Sequence, residues 1–166
     1  QVGSTVIEPV LSVRNLGVYM DNELNMKAHI GKVASACFYH LRRLRQLRLI
    51  LTRSTMQRLV SSFVLSRMDY CNTVLAGLPA STLAPLQRVM NAAVRLVAGL
   101  GWRDHVTPAM KELHWLPIIY RVKYKICVLN TRICQWSQSG VDYRGTDSNI
   151  IPVRTFNASF RISCHL

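Results

Sequence analysis

Acidic residues are scarce in this chain. Eight Asp and Glu stand against 21 Lys and Arg in 166 residues, for a formal net charge of +13. Such an excess points to a polyanionic partner, either nucleic acid or an anionic membrane surface, with an ordinary basic surface as the plainer alternative. The shortage also bears on catalysis, because two-metal phosphoryl transfer needs carboxylates that converge on the cations. The acids are Glu8, Asp21, Glu23, Asp69, Asp104, Glu112, Asp142 and Asp147, and only Asp21 and Glu23 stand close together. That spacing is common in ordinary turns, so no metal ligands are assigned.

Other absences narrow the field further. No apolar run approaches the roughly 18 residues of a membrane span. The opening "QVGSTVIEPV" lacks the basic start and apolar block of a signal peptide. It begins on Gln1 rather than Met, which hints at an excerpt. The cysteines (Cys37, Cys71, Cys127, Cys134, Cys164) are scattered and form no Cys-x-x-Cys pair. Cys37 and His40 could share a helix face, but further ligands for a metal are not evident. Free, mostly buried thiols in an intracellular, reducing compartment are expected. A Gly-rich phosphate loop and a Gly-x-Ser-x-Gly elbow are also missing. Cys71 has no base beside it in sequence, and His105 and His114 read as capping or packing residues. Hence no catalytic residue, no metal site and no cofactor is assigned to this chain.

What the chain does hold is apolar periodicity. Hydrophobic residues make up 49%, enough for one domain with a real core. "VIEPVLSVRNLGVYM" (6–20) is rich in β-branched residues and predicts one or two short strands with a bend near Asn15. From Asn25 the period lengthens: Ile30, Val33, Ala34, Cys37, Leu41, Leu44 and Leu51 fall on one helix face, and the helix nears its end at Arg48. Thr52 is placed to cap a second helix whose seam runs Met56, Val60, Phe63, Val64, Met68, Cys71 and Leu75 until Gly77 and Pro79 stop it. A third helix starts at Ser81 or Thr82, holds Pro85 in its first turn, and ends at Gly99 and Gly101. Thr107 followed by Pro108 predicts a short helix. A last one is expected from about Ile118 to Gln135, with Val122, Ile126, Leu129 and Ile133 inward. Past Ser137 the pattern decays into loop, with weak strand tendency in "IIPVRTF".

The densest positive stretch is Arg42, Arg43, Arg45, Arg48 and Arg53, with Arg58 further on; Lys32 lies earlier on the same helix, around the side opposite its apolar face with Arg42, Arg43 and Arg45. Guanidinium groups grip phosphates bidentately, and a helix sets several along one backbone track. A solvated helix face remains the competing reading. A membrane-surface helix is disfavoured, because the apolar face is needed for packing.

Four blocks, "NLGVYMDNELNMKAHI" (15–30), "SRMDYCNTVLAGLP" (66–79), "LQRVMNAAVRL" (86–96) and "HVTPAMKELHWLPIIYRVKYKI" (105–126), carry a resemblance. In that order and with similar separations, they resemble the end of a reverse transcriptase from LINE-type (non-LTR, jockey-like) retrotransposons, over about Val13 to Gln135. The resemblance implies a mainly α fold: a thumb-like bundle of about four to five helices behind a short strand or hairpin, with an irregular C-terminal tail. It implies an end-of-palm segment at 1–21, a helical thumb-like domain at 22–136 and a degenerate tail at 137–166. It also implies a role in gripping an RNA–DNA template–primer duplex, through Lys32, Arg42, Arg43, Arg45, Arg48 and Arg53. The palm and fingers of the parent RNA-directed DNA polymerase would be partners, and its Mg2+ would belong to a Tyr/Phe-x-Asp-Asp turn that nothing in residues 1–14 matches. Met90 and Val94 depart from the family's usual Gln and Ala, which leaves a packed helix intact. The rival reading is a decayed or domesticated helical protein that acts, if at all, as an interaction module.

"SRMDYCNTVLAGLP" first looks catalytic, with an acid, a phenol, a thiol and an amide in a row. On a helical wheel it reads instead as a structural joint. Met68, Cys71 and Leu75 join the apolar seam, and Arg67 falls in the apolar arc, where it is expected to be paired. Asp69 and Asn72 are expected to hydrogen-bond across helices, with Tyr70 at the edge. Gly77, Pro79, Trp115 and Pro117 complete the structural set.

Overall fold

A computed structural model describes residues 11–138, with side chains to residue 133. Ser12–Asn15 (β1) and Val18–Asp21 (β2) form an antiparallel hairpin in which Asn15 faces Val18. Its two-residue turn is Leu16-Gly17, both at positive φ (45° and 84°), as a tight hairpin turn demands. Among the described residues six helices follow: Lys27–Gln46 (α1), Arg53–Val60 (α2), Ser66–Asp69 (α3), Ala80–Ala98 (α4), Val106–Glu112 (α5) and Ile118–Gln138 (α6). The expected mainly α bundle behind a short hairpin is what the chain forms.

α1 and α4 are the packed centre. α1 turns Ile30, Ala34, Cys37, Leu41 and Leu44 inward at steps of three and four. α4 answers with Leu83, Leu86, Val89, Met90, Ala93, Val94, Leu96 and Val97, all buried. Each large aliphatic of that face contributes roughly 1.5–3 kcal/mol on removal from water. The start of α1 has no side-chain N-cap of its own; Asn25 serves, its side-chain oxygen accepting the Lys27 N–H at 3.0 Å. Asp21 accepts the Asn25 N–H at 2.8 Å, so the one close acidic pair, Asp21 with Glu23, braces this turn. α1 ends at Gln46, close to the expected Arg48. Leu51 therefore lies beyond it, partly buried against the core. Thr52 caps α2 as expected, accepting the Thr55 N–H at 3.3 Å.

Four expectations are corrected. The second seam is not one helix: α2 passes into a π-helical turn, Ser61–Leu65, then α3, and breaks at Tyr70 before a 3-10 turn, Asn72–Leu75. Cys71 sits at the break with φ 50°, so the chain turns just where the polar band lies. Pro85 is the sixth residue of α4, in its second turn, so the Ser81 carbonyl lacks the usual N–H partner there. α5 begins one residue before Thr107, with His105 at the N-cap position and no side-chain cap bond. Among the described side chains of α6 only Ile118 and Val122 are buried; Ile126, Leu129 and Ile133 are 39%, 43% and 67% exposed. Past its second turn the expected inward stripe meets no core among the described residues. The weak strand in "IIPVRTF" lies outside the described residues.

Candidate nucleic-acid interface

Between Glu23 and Asp69 the chain holds nine Lys and Arg and no acid. This stretch makes up α1, the loop after it, α2 and most of α3. Arg42, Arg43 and Arg45 occupy the last turns of α1 and are exposed, as is Arg48 just past its end. Their charge also complements the negative end of the α1 dipole. The Arg48 guanidinium lies against Gly99, the left-handed C-cap of α4 (φ 74°), where a Cβ would collide with it. These four are brought together at one end of the bundle.

The other two predicted cations stand apart. Lys32 lies about 15 Å back along the helix from Arg42. Its ammonium sits 3.5 Å from the ring centroid of Tyr19, against the hairpin. Arg53 donates to Glu112 at 2.7 Å, tying α2 to α5, and both side chains stay about half exposed (51% and 61%). It is already partnered, which weakens its claim as a phosphate contact.

Behind this surface the polar band of 69–72 joins three elements. Asp69 faces Arg121 of α6 in a two-pronged ion pair, one prong at 2.8 Å, with the two side chains 34% and 17% exposed. Tyr70 reaches back to the hairpin and donates its hydroxyl to the Leu16 carbonyl at 2.6 Å, its ring edging Gly17. The Cys71 thiol beside it holds the Tyr70 phenol above its ordinary value. Asn72 is buried and donates to Asp69 at 3.4 Å, while its Oδ1 has no partner among the described residues. The expected cross-helix bond is thus made by Asp69, with Asn72 held against it within the joint. Arg67 is a correction: it is exposed and makes no ion pair or hydrogen bond among the described residues. The turn of π-helix before it shifts the wheel, carrying Arg67 out of the apolar arc.

Gly77 follows the 3-10 turn at φ 78°, and Pro79 holds the N-cap position of α4. Trp115 is buried and its backbone N–H donates to the Met110 carbonyl at 2.9 Å. The Pro117 carbonyl accepts the Tyr120 and Arg121 N–H groups, both at 3.0 Å, opening α6. Two residues of this frame are missed by sequence reasoning. Gln87, on α4, accepts the first N–H of α6 from Ile118 at 3.0 Å and donates to Asn91 at 2.9 Å. Arg121 is hidden because its neighbour Val122 carries the helical period, although a cation beside an inward residue is a usable signal.

Asp69, Asn72, His114, Leu116, Arg121, Tyr124 and Lys125 line a shallow cleft at the joint, and the ion pair fills its polar wall. Three thiols are described, all free: Cys37 buried, Cys71 partly so, Cys127 exposed. Burial pushes the Cys37 thiol up to about 11, only partly offset by the Arg67 charge, and its Sγ points at the Val64 carbonyl at 3.7 Å. It is a packing residue, and no nucleophile at neutral pH. Among the described residues no group of His, Cys, Asp and Glu gathers that could hold a metal ion. Nor is any described helix long and apolar enough to cross a membrane. Neither a family model, nor a curated protein, nor a solved structure matches the chain.

Proposed function

We propose that this chain is a thumb-like piece of a retrotransposon-type reverse transcriptase that grips the phosphate backbone of an RNA–DNA duplex. The observation that carries it is the acid-free stretch from 24 to 68, which sets four exposed arginines together at and just past the end of α1. The four ordered blocks that resemble the family supply the identity of the duplex. Polymerization would belong to the parent enzyme, whose carboxylates and Mg2+ would lie in its palm. An intracellular, reducing setting goes with free thiols and with a template–primer ligand.

Backbone contacts are read as salt dependence. Binding should weaken steeply between low and moderate salt, without sequence preference. Arg42→Ala with Arg43→Ala should reduce the salt slope by about 2, one for each phosphate no longer neutralised. Duplex affinity that barely changes with salt, measured by anisotropy on the folded chain, overturns the reading. The second reading, an interaction module with no polymerase role, is favoured by the exposed apolar stripe Ile126, Leu129 and Ile133. It would be supported by a folded chain that binds no nucleic acid.

A further inference from the structure

Two loops meet at the arginine-rich end of the bundle, and both present apolar side chains to water. The first, between α1 and α2, carries Leu49 at 99% exposure and Ile50 at 80%. It is an ordered turn: the Ile50 and Leu51 N–H groups both donate to the Leu47 carbonyl at 3.1 Å. Leu51 anchors it to the core, which leaves Leu49 and Ile50 facing outward. The second loop, between α4 and α5, carries Trp102, 78% exposed. The contact of Arg48 with Gly99 places the two loops side by side.

The second loop also makes hydrogen bonds of its own. The Gly101 N–H donates to the Asp104 carboxylate at 2.7 Å, and Arg95 of α4 donates to the Asp104 carbonyl at 3.4 Å. A Cβ at Gly101 would stand 3.2 Å from that carboxylate, close enough that the Asp104 side chain would have to give way slightly. On this loop the Arg103 guanidinium lies 4.5 Å from the indole centroid, covering one face of Trp102. So exposed a side chain keeps its other face open.

We infer that this end of the bundle is a stacking platform for unpaired bases at a duplex end, with Trp102 as the base-stacking residue. Leu49 and Ile50 would press against the terminal base pair, and Arg48 and Arg103 would take the phosphates of the emerging strand. An indole offers its π-face to any base, so the site would tolerate sequence. Exposed aliphatics set among arginines act elsewhere as wedges against base steps. Nucleic acid is the occupant taken, because Arg42, Arg43, Arg45 and Arg48 cluster, exposed, at this same end and match a strand's phosphates in charge.

This inference rests on the proposed duplex grip, and the experiment separates the two. Affinities of the full chain would be measured by anisotropy for a blunt duplex, the same duplex with a single-stranded tail, and the single strand alone. Phosphatidylserine vesicles form a fourth arm. The tailed duplex should bind about tenfold tighter than the blunt one, in keeping with one stacked base. Trp102→Ala should erase that difference while leaving blunt-duplex affinity and thermal midpoint unchanged, and Trp102→Phe should restore most of it. Equal affinity for tailed and blunt duplexes, or an equal loss on both in Trp102→Ala, overturns the platform. So does vesicle binding that Trp102→Ala abolishes while nucleic-acid binding persists. A chain that ignores blunt duplex but holds the single strand through Trp102 keeps the platform and overturns the duplex grip.

Discussion

The joint at 69–72 and the arginine-rich end of the bundle are opposites in how they use their polar groups. At the joint the charges and hydroxyls find partners inside the protein: Asp69 takes Arg121 and Tyr70 takes the Leu16 carbonyl. At the bundle end, Arg42, Arg43 and Arg45 have no acid near them in sequence, and Leu49 and Ile50 have no cover. A fold consumes the first kind of residue. The second kind contributes little to stability, and like charges so close together oppose it. The difference teaches where to look for function, since interactions not made within the chain are those available to a partner.

The comparison breaks most sharply at Asp69. Replacing it by Ala leaves the half-buried Arg121 without its counter-charge and takes from Asn72 the acceptor of its side-chain amide. The expected cost is about 2 kcal/mol, less than the roughly 3–5 kcal/mol of a fully buried pair, because Asp69 still meets solvent. Thermal melting checks this, and an unchanged midpoint would sink the joint. Duplex affinity of the remaining folded protein should not move. Arg42→Ala with Arg43→Ala is the mirror image, with its effect on the salt slope and little on melting.

A milder way to sharpen it is Tyr70→Phe. This removes the tie between the broken helix and the hairpin turn while keeping the ring over Gly17. The hairpin 12–21 is anchored on the core through Val18 of β2, while every residue of β1 is exposed. Its amides should therefore exchange faster with solvent, while α1 and α4 keep their protection. Uniform acceleration across the chain would mean that the joint is not local.

The two regions also differ in how far the sequence disclosed them. The arginine cluster was legible because it needs only spacing on one continuous helix, and α1 kept its period to Gln46. The joint was legible in kind but not in detail. Asp69 was expected to bond across helices, yet its partner lies 52 residues away, and pairings at that range follow from packing that a single sequence does not show. Arg67 failed for a sharper reason: a wheel assumes a constant turn, and the π-helical Ser61–Leu65 changes it. Trp102 sits in a loop, where no period exists to mark it. The α6 stripe failed the other way, since periodicity predicts a face but not whether anything is there to meet it.

The smallest expected effect lies at His29, on the hairpin side of the joint, where the two regions can be told apart by pH. His29 is 5% exposed on α1, and its Nδ1 accepts the Tyr19 N–H at 3.4 Å. Burial lowers its pKa from the ordinary 6.5, so the folded chain favours the neutral ring. A group whose folded pKa is depressed binds more protons when unfolded, so stability rises with pH in that window. The contribution is fully present above the unfolded value of 6.5 and is lost as pH falls from there toward the lower folded value. Melting midpoints should therefore decline between neutral and mildly acidic pH, and His29→Gln, which keeps an acceptor but does not titrate, should flatten that part of the slope. Salt-dependent binding through the arginine cluster, measured on the protein that stays folded, should be the same at both pH values. Were the slope to survive in His29→Gln, the acid sensitivity would belong to another group.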